Sequence, residues 1–231
     1  MNKYFKISTY NSFIKNYLVK YQKSYSQTGE DLILNNFFKY KKNGVYVDVG
    51  ANDPKKFNNT YLFYTKGWRG INIEPNIKKI KQLKRSRPQD INLNLGVGES
   101  VNELNFYEFK PDTLSTFSNE IANQYQQMGH KLKEVKKVQV LPLKEVFEKY
   151  LSSPKIDFMT VDTEGHDLDV LKSNDWTKYR PTYLIIETLE FKNDDSAKKI
   201  NQIFDKFLAD INYVPVIDTY VNTIYKDNKN D

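Results

Sequence analysis

The run from Val45 to Asp53 (VYVDVGAND) constrains the fold more than any other part of the sequence. Four of its first five residues are Val or Tyr, which is typical of a short strand buried within a parallel sheet. The glycine and polar residues that follow indicate a turn at the carboxyl end of the strand. Because ligands of open α/β sheets bind outside the carboxyl ends of the strands, we expect this turn to line a binding site.

The charges and glycines of the turn favour a cationic ligand that contains a nucleoside. A dinucleotide site needs three spaced glycines so that backbone N–H groups can approach a pyrophosphate, whereas this turn has only Gly50. Asp48 and Asp53 would repel a pyrophosphate but attract the ammonium and sulfonium groups of S-adenosylmethionine (SAM). A second short strand, 71–73, ends in Glu74, whose carboxylate can accept hydrogen bonds from both hydroxyls of a ribose.

The alternation of short apolar strands with amphipathic helices predicts an α/β domain over residues 41–225. The expected sheet is mostly parallel and seven-stranded, with helices on both faces. Its strands are expected at residues 45–49, 71–73, 91–97, 156–161, 183–186, 213–217 and 223–225, with extra strands at 103–109 and 135–141.

Residues 1–40 are expected to form N-terminal helices that pack on this domain, and residues 226–231 a polar tail. Apolar residues spaced three and four apart through 10–21 predict the first helix. Thr28 and Asp31 predict a capping box at the start of the second. The first helix is also basic, so contact with a membrane surface is an open alternative to packing on the domain.

Four of the predicted strands end in acids. These are Asp48, Glu74, Asp162 and Glu187. A parallel sheet gathers the carboxyl ends of its strands along one edge, so the four carboxylates are expected to meet in a single cleft. Their mutual repulsion would be costly unless a cation, a proton or sugar hydroxyls shared the space. This convergence predicts a functional site.

Composition limits the remaining function classes. The chain has 35 basic and 29 acidic residues, a formal net charge of +6, but lysine clusters such as 78–87 and 131–137 usually cover solvated faces. The absence of cysteine excludes disulfides, thiolate nucleophiles and zinc–thiolate sites. No apolar run approaches the ~20 residues needed to cross a bilayer, and the N-terminus lacks a signal-peptide core. A cytoplasmic protein is therefore expected.

Several blocks of the sequence, taken in order, resemble the FkbM-type SAM-dependent methyltransferases. The matching blocks are 26–31 (SQTGED), 46–54 (YVDVGANDP), 67–76 (GWRGINIEPN), 115–117 (STF) and 156–167 (IDFMTVDTEGHD). The resemblance implies a class I methyltransferase fold, which is Rossmann-like, with SAM as the methyl donor. It also implies O-methylation of a hydroxyl, in many members on a sugar or a secondary metabolite. His166 stands where family members often have Phe or Tyr.

The cofactor is expected to contact the turns after the first two strands, the end of the third strand and the second N-terminal helix. Asp48 and Gly50 would line its amino-acid end, and Glu74 would bind its ribose. The expected cofactor residues are Gln27, Glu30, Asp48, Gly50, Ala51, Asn52, Asp53, Glu74, Pro75, Gly96, Val97 and Asp162.

Methyl transfer to oxygen requires an aligned hydroxyl and a group that removes its proton. Asp162 and Glu164 are the favoured bases. His166 is an alternative, because imidazole titrates near neutral pH. Glu187 could bind a sugar hydroxyl or join Asp162 in holding Mg²⁺. The acceptor is expected to contact Ser115, Thr116 and Phe117.

Two other interpretations stay open. An RNA methyltransferase or nucleic-acid-binding protein would use the lysine clusters against phosphates, although the sequence has no RNA-recognition motif. A protein of this fold could also bind SAM without catalysing transfer. The residues predict neither the acceptor molecule nor the oligomeric state.

Overall fold

The computed structural model describes residues 22–191 and 197–229. The predicted helix over 10–21 lies outside the described residues. In chain order the elements are α1 (Glu30–Phe37), β1 (Val45–Val49), α2 (Tyr61–Thr65), β2 (Arg69–Ile73), α3 (Ile77–Ser86), β3 (Ile91–Leu93), β4 (Gly96–Val97), β5 (Asn102–Lys110), a 3₁₀ turn (Asp112–Leu114), α4 (Asn119–Gln127), β6 (Lys131–Leu141), α5 (Leu143–Tyr150), β7 (Phe158–Val161), α6 (Asp167–Lys172), β8 (Tyr183–Glu187), β9 (Leu189–Phe191), β10 (Ala197–Lys199), α7 (Asn201–Asp210), β11 (Tyr213–Asp218) and β12 (Asn222–Asp227).

Seven strands form the main sheet in the order β11-β12-β8-β7-β1-β2-β3. The pairs from β8 to β3 are all parallel, and β12 runs antiparallel to both of its neighbours. The predicted mostly parallel, seven-stranded sheet is therefore confirmed. Among the described residues, no helix has the length and apolar character needed to span a membrane.

Helices cover both faces of this sheet because successive strand residues point to opposite sides. On one side Tyr46 packs with Leu34 of α1 and Phe63 of α2. On the other side Val47 belongs to a larger core that contains Phe147 of α5 together with residues of α6 and α7. The strands are buried from both sides, which explains their nearly continuous apolar sequences.

The strand predicted over 91–97 is divided between two sheets. Ile91–Leu93 pairs with β2, whereas Gly96–Val97 pairs with β6 in a separate sheet of order β4-β6-β5. Between the two strands, the Asn94 side chain donates to the backbone oxygens of Glu74 and Pro75, at 3.0 and 2.7 Å. These bonds hold the chain at the point where it leaves the main sheet, and the alternation of apolar and polar residues through 91–97 does not reveal that break.

The predicted capping box at the start of α1 is wrong. Gly29 is the N-cap and makes no side-chain capping bond. The Asp31 carboxylate instead accepts from Ser24 Oγ at 2.7 Å and from Ser26 Oγ at 2.9 Å. Asp31 therefore closes the turn that precedes the helix. Its carboxylate is bonded to the two serines, and the backbone N–H of Thr28 donates to Glu30 instead.

The predicted polar tail starts later than expected. Lys226 and Asp227 belong to β12, and the Asp227 carboxylate accepts from Arg180 Nε at 3.0 Å. The partly buried arginine gives Asp227 a charged partner and keeps the strand in the sheet to its last residue.

Candidate active site

The carboxyl ends of β1, β2, β7 and β8 open into one cleft of about 850 Å³. All four strand-end acids line it: Asp48, Glu74, Asp162 and Glu187. The opposite wall is formed by residues 111–130, which connect β5 to β6 and are called the wall segment below. The parallel sheet thus brings the four acids to one site.

Most residues predicted to form the site line this cleft. They are Gln27, Asp48, Gly50, Ala51, Asn52, Asp53, Glu74, Pro75, Gly96, Val97, Ser115, Phe117, Asp162, Glu164, His166 and Glu187. Their individual roles stay predictions, since position alone does not assign them.

Glu30 and Thr116 do not reach the cleft, and both are fully buried. The Glu30 carboxylate accepts from Thr219 Oγ1 and Asn222 Nδ2, both at 2.7 Å, and so joins α1 to β12. Thr116 Oγ1 donates to the backbone oxygen of Glu164 at 2.8 Å. The expected direct contacts of Glu30 with the cofactor and of Thr116 with the acceptor therefore stay predictions, and the structure shows both side chains bonded within the protein.

Gly50 lets the turn after β1 touch the chain that follows β7. Its φ is +86°, in the left-handed region that favours glycine. A Cβ atom there would lie 1.7 Å from the backbone oxygen of Asp162. The backbone N–H groups of Gly50 and Ala51 both donate to the Ile73 oxygen, at 3.0 and 3.1 Å. The turn is thereby held at the ends of both neighbouring strands.

Glu74 is fixed at the end of β2 by two backbone donors. The N–H groups of Asn52 and Asn76 donate to its two carboxylate oxygens, at 2.9 and 2.7 Å. Burial raises the pKa of Glu74 to about 7, although these hydrogen bonds oppose the rise. Asn76 also caps α3 by accepting from Lys78 N.

The turn between β1 and α2 leaves one polar atom free. Asp53 Oδ1 accepts from the backbone N–H groups of Lys55 and Lys56, both at 2.9 Å, so this carboxylate closes its own turn. Asn52 Oδ1 is buried and has no hydrogen-bond partner among the described residues. A ligand in the cleft would supply the missing donor, since buried polar groups are normally paired.

A buried polar network behind Asp48 was missed by the sequence analysis. Asp48 Oδ2 accepts from Thr60 Oγ1 at 2.7 Å and from Asn58 Nδ2 at 3.1 Å. Both of these residues also bond to Arg87, which is fully buried. Burial raises the pKa of Asp48, and the charge of Arg87 opposes this rise.

The interpretation of 78–87 as a solvated basic face is therefore wrong for Arg87. Its position gave a signal, because it falls on the apolar stripe of α3, seven residues after Ile80 and four after Leu83. Both of those side chains are fully buried.

Three acids form a cluster at the other end of the cleft. Asp162, Glu164 and Glu187 each place one carboxylate oxygen within 4.8 Å of the others. Asp162 is exposed to solvent inside the cleft, but protein surrounds the cleft on most sides, so water screens these charges less than at an open surface. The reduced hydration of carboxylates inside the cleft, followed by the charges of the neighbouring acids, raises the pKa of all three.

The wall segment holds Glu164 in place. Glu164 has a left-handed φ of 52°, and its backbone oxygen is bound by Thr116 as described. Tyr125 OH, on α4, donates to Glu164 Oε2 at 3.2 Å. A Cβ atom at Gly165 would lie 2.2 Å from Ile121 Cδ1, so α4 packs directly on this turn. Tyr125 was also missed, because its contact joins two distant parts of the chain.

His166 lies beside the same cluster. Its Nδ1 is 3.4 Å from Asp169 Oδ2, and its Nε2 is buried without a hydrogen-bond partner among the described residues. The ring meets Phe117 edge-on, with centroids 6.1 Å apart. Phe117 also packs under Gly96, where a Cβ would lie 2.5 Å from the phenyl ring. His166 can therefore face a ligand through one nitrogen only.

A family model for the methyltransferase FkbM domain matches residues 48–215, well over half of the chain. The chain belongs to the FkbM methyltransferase family. This confirms the resemblance found in the sequence. Together with the observed strand order, it also confirms the predicted class I, Rossmann-like methyltransferase fold. The FkbM family places the protein among the SAM-dependent methyltransferases.

Several solved methyltransferase structures are distantly similar in fold to this FkbM-family protein. A TehB-like SAM-dependent methyltransferase from Corynebacterium glutamicum has a TM-score of 0.45 at 8% identity, with 95% of this chain and 97% of that chain covered. The 1,6-didemethyltoxoflavin-N1-methyltransferase of Burkholderia thailandensis, solved with 1,6-didemethyltoxoflavin and S-adenosylhomocysteine, has a TM-score of 0.44 at 8% identity, with 95% and 84% covered. No curated protein matches the sequence.

Proposed function

We propose that this FkbM-family methyltransferase transfers the methyl group of SAM to a hydroxyl of a carbohydrate. The observation that carries the proposal is the cluster of Asp162, Glu164 and Glu187 in the same cleft as Asp48 and Glu74. One end of the cleft suits a cationic nucleoside, and the other provides bases for a hydroxyl nucleophile.

SAM would lie along the ends of β1, β2 and β4. In this placement Glu74 accepts from the ribose hydroxyls, Asp48 and Gly50 face the amino-acid end, and Gly96 and Val97 contact the edge of the adenine. The unpartnered Asn52 Oδ1 supports this arrangement, because it can accept a hydrogen bond from the cofactor. The sulfonium is then directed toward the three clustered acids.

Transfer proceeds as an in-line displacement. The acceptor oxygen forms a bond to the methyl carbon while the carbon–sulfur bond breaks, and its electron pair stays on sulfur to give S-adenosylhomocysteine. The hydroxyl proton passes to the carboxylate of Asp162 or Glu164. Their raised pKa values support this role, because an acid of raised pKa is a stronger base once ionised.

A carbohydrate acceptor is supported by the chemistry of the acceptor end. Carboxylate oxygens can accept from several neighbouring hydroxyls, and three lie within 4.8 Å of one another. Aromatic rings suit the apolar faces of sugars, and both Phe57, which is 60% exposed, and Tyr125 line the cleft. The oxygen-rich cluster also fits the donor type of Mg²⁺, so Asp162 and Glu187, with Glu164, would hold such an ion, which would lower the pKa of a bound hydroxyl.

Labelled SAM tests this proposal with a panel of deoxysugar nucleotides, simple glycosides, amines and RNA. We expect methyl ethers on sugar hydroxyls, and no label on RNA. Asp162→Asn and Glu164→Gln should reduce transfer by about 10²-fold or more for the residue that acts as base, whereas Glu103→Gln, on the exposed part of β5, should not.

Each reaction is run with EDTA and with added Mg²⁺. Loss of transfer in EDTA that Mg²⁺ restores would assign the acids to a bound ion, and unchanged transfer would assign them to proton transfer alone. Methyl transfer to RNA or to amines with none to sugars would contradict the proposal.

A further inference from the structure

Arg87 lies beneath the cofactor end of the cleft with no exposed side-chain surface. It follows α3 directly as the C-cap residue. Its Nε and Nη2 donate to the Pro54 oxygen at 3.0 and 2.6 Å, and its Nη1 donates to Asn72 Oδ1 at 3.1 Å. Tyr61 lies over the guanidinium with its ring centroid 5.3 Å away. Burial of a cation is costly unless hydrogen bonds and opposite charge offset it, and the carboxylates of Asp48 and Asp90 lie near enough for the charge of Arg87 to oppose the rise that burial causes in their pKa.

The remaining contacts of Arg87 lead to Asp48. Nη1 donates to Thr60 Oγ1 at 2.7 Å, and Nη2 donates to Asn58 Oδ1 at 2.5 Å. A guanidinium has only donors, so each bond fixes the direction of the group that receives it. The Asn58 oxygen accepts from Arg87 and also from the backbone N–H groups of Thr60 and Tyr61, at 3.0 and 2.8 Å. Together these donors turn its Nδ2 toward Asp48 Oδ2, 3.1 Å away.

Thr60 is oriented in the same way. Its oxygen accepts from Arg87, so its single proton is left to donate to another group. Asp48 Oδ2 at 2.7 Å is nearer than Asn58 Oδ1 at 2.9 Å and carries charge, so it is the stronger acceptor. Both donors therefore converge on one carboxylate oxygen of Asp48, and the other oxygen is left for the cleft that Asp48 lines.

We infer that Arg87 is a positioning residue for SAM, which acts through Asn58 and Thr60 to aim the Asp48 carboxylate at the amino-acid end of the cofactor. The inference rests on the placement of SAM in the proposed function. Loss of these hydrogen bonds between Arg87 and Asp48 should lower the affinity for ligands that carry the amino-acid group and leave unchanged the affinity for ligands that lack it.

The experiment compares the affinity for SAM with that for 5′-methylthioadenosine, which keeps the adenosine but lacks both the amino-acid group and the sulfonium charge. S-adenosylhomocysteine, which keeps the amino-acid group and lacks only the methyl group with its charge, separates the two differences. Thr60→Val removes the hydroxyl that links Arg87 to Asp48, and Arg87→Lys removes the forked donor. Each substitution should weaken the binding of SAM by about tenfold or more, as expected for a lost hydrogen bond to a charged group. The binding of 5′-methylthioadenosine should weaken by less than about threefold. Thr60→Ser should restore SAM affinity, and Arg85→Lys, an exposed neighbour, is the matched control.

Equal weakening of the two ligands would show a general structural role and overturn the inference, as would unchanged SAM affinity in folded Thr60→Val protein. If Arg87→Lys does not fold, the Thr60 pair decides the result. The sugar O-methylation proposal fails separately, when the protein shows this ligand selectivity but methylates no sugar hydroxyl.

Discussion

Replacement of Glu74 by Gln tests the ribose end of the cofactor pocket. Both carboxylate oxygens of Glu74 already accept from backbone N–H groups, those of Asn52 and Asn76. An amide offers one oxygen and one NH₂ group, so one of these donors would face another donor. The substitution keeps the size of the side chain but removes the charge that would receive the ribose hydroxyls.

The expected loss of affinity follows from the hydrogen bonds involved. A hydrogen bond to a charged group contributes about 1.5–3 kcal/mol, and each 1.4 kcal/mol corresponds to about tenfold in affinity. Loss of the charged acceptor for one ribose hydroxyl therefore lowers the affinity for SAM by about 10- to 150-fold. Loss of both hydroxyl contacts would exceed this range.

The same carboxylate should make SAM binding depend on pH. Only the ionised form accepts from both hydroxyls, and burial raises the pKa of Glu74 to about 7. Its ionised fraction then rises from about 0.1 at pH 6 to about 0.9 at pH 8. The wild-type affinity should increase about tenfold over this interval and level off above it, whereas the Glu74→Gln variant should lack this contribution.

Calorimetric titration of SAM at pH 6, 7 and 8 measures both effects, with Glu103→Gln as a control for a glutamate outside the cleft. The ratio of wild-type to variant affinity isolates Glu74 from the other acids of the site. A variant that binds SAM within threefold of wild type at pH 8, or a ratio that does not change with pH, would refute the reasoning.

Three further predictions concern the ligand-free fold and the acceptor end. The pKa of Glu74 in the folded protein, about 7, lies above its ordinary 4.5. The contribution of this group to the free energy of unfolding is therefore largest below pH 4.5 and falls by about 3 kcal/mol as the pH rises to 7. Between pH 5 and 7 the Tm should fall more steeply for wild type than for Glu74→Gln, and parallel curves of Tm against pH would contradict this. Gly50→Ala places a Cβ 1.7 Å from a backbone oxygen, so it should lower Tm and abolish the stabilisation by SAM in a thermal-shift assay. A rise in Tm on adding SAM as large as that of wild type would show that the clash does not occur. Tyr125→Phe should lower kcat on a sugar acceptor about tenfold with KM for SAM unchanged, because the lost hydroxyl orients Glu164. Tyr107→Phe, on β5, loses a hydroxyl whose exposed hydrogen bond goes to Asn119 and not to an acid of the cleft, so it should match wild type.

The strands and their acids were predictable because both signals are local. An apolar run followed by an acid and a glycine fixes a strand and its turn, and the parallel arrangement then brings Asp48 and Glu74 into one cleft. The same strand-end rule gave Asp162 and Glu187, and Glu164 follows Asp162 by two positions in the chain. For these residues, position along the chain determines position in the site.

The residues that were missed depend on contacts between distant segments. Tyr125 meets Glu164 across 39 positions, and Arg87 meets Asn58 across 29. Arg87 also carries a charge, so its place on an apolar stripe was overlooked. The hydrogen bonds of Glu30 were missed for the same reason, since its partners Thr219 and Asn222 are 189 and 192 residues away in the chain.

The wall segment has a consequence for how such enzymes diversify. Residues 111–130 are contiguous, and their contacts with the rest of the domain include Lys79 of α3, whose Nζ lies 2.8 Å from Asp112 Oδ2, and the hydrogen bond from Tyr125 to Glu164. The facing surface is assembled from the tips of four separate strands and cannot be exchanged as a unit. Under the proposed placement of the acceptor, transplanting this one stretch between relatives would change the shape of the wall that faces the acceptor and would leave the strand-end acids, Asp162 and Glu187 among them, in place.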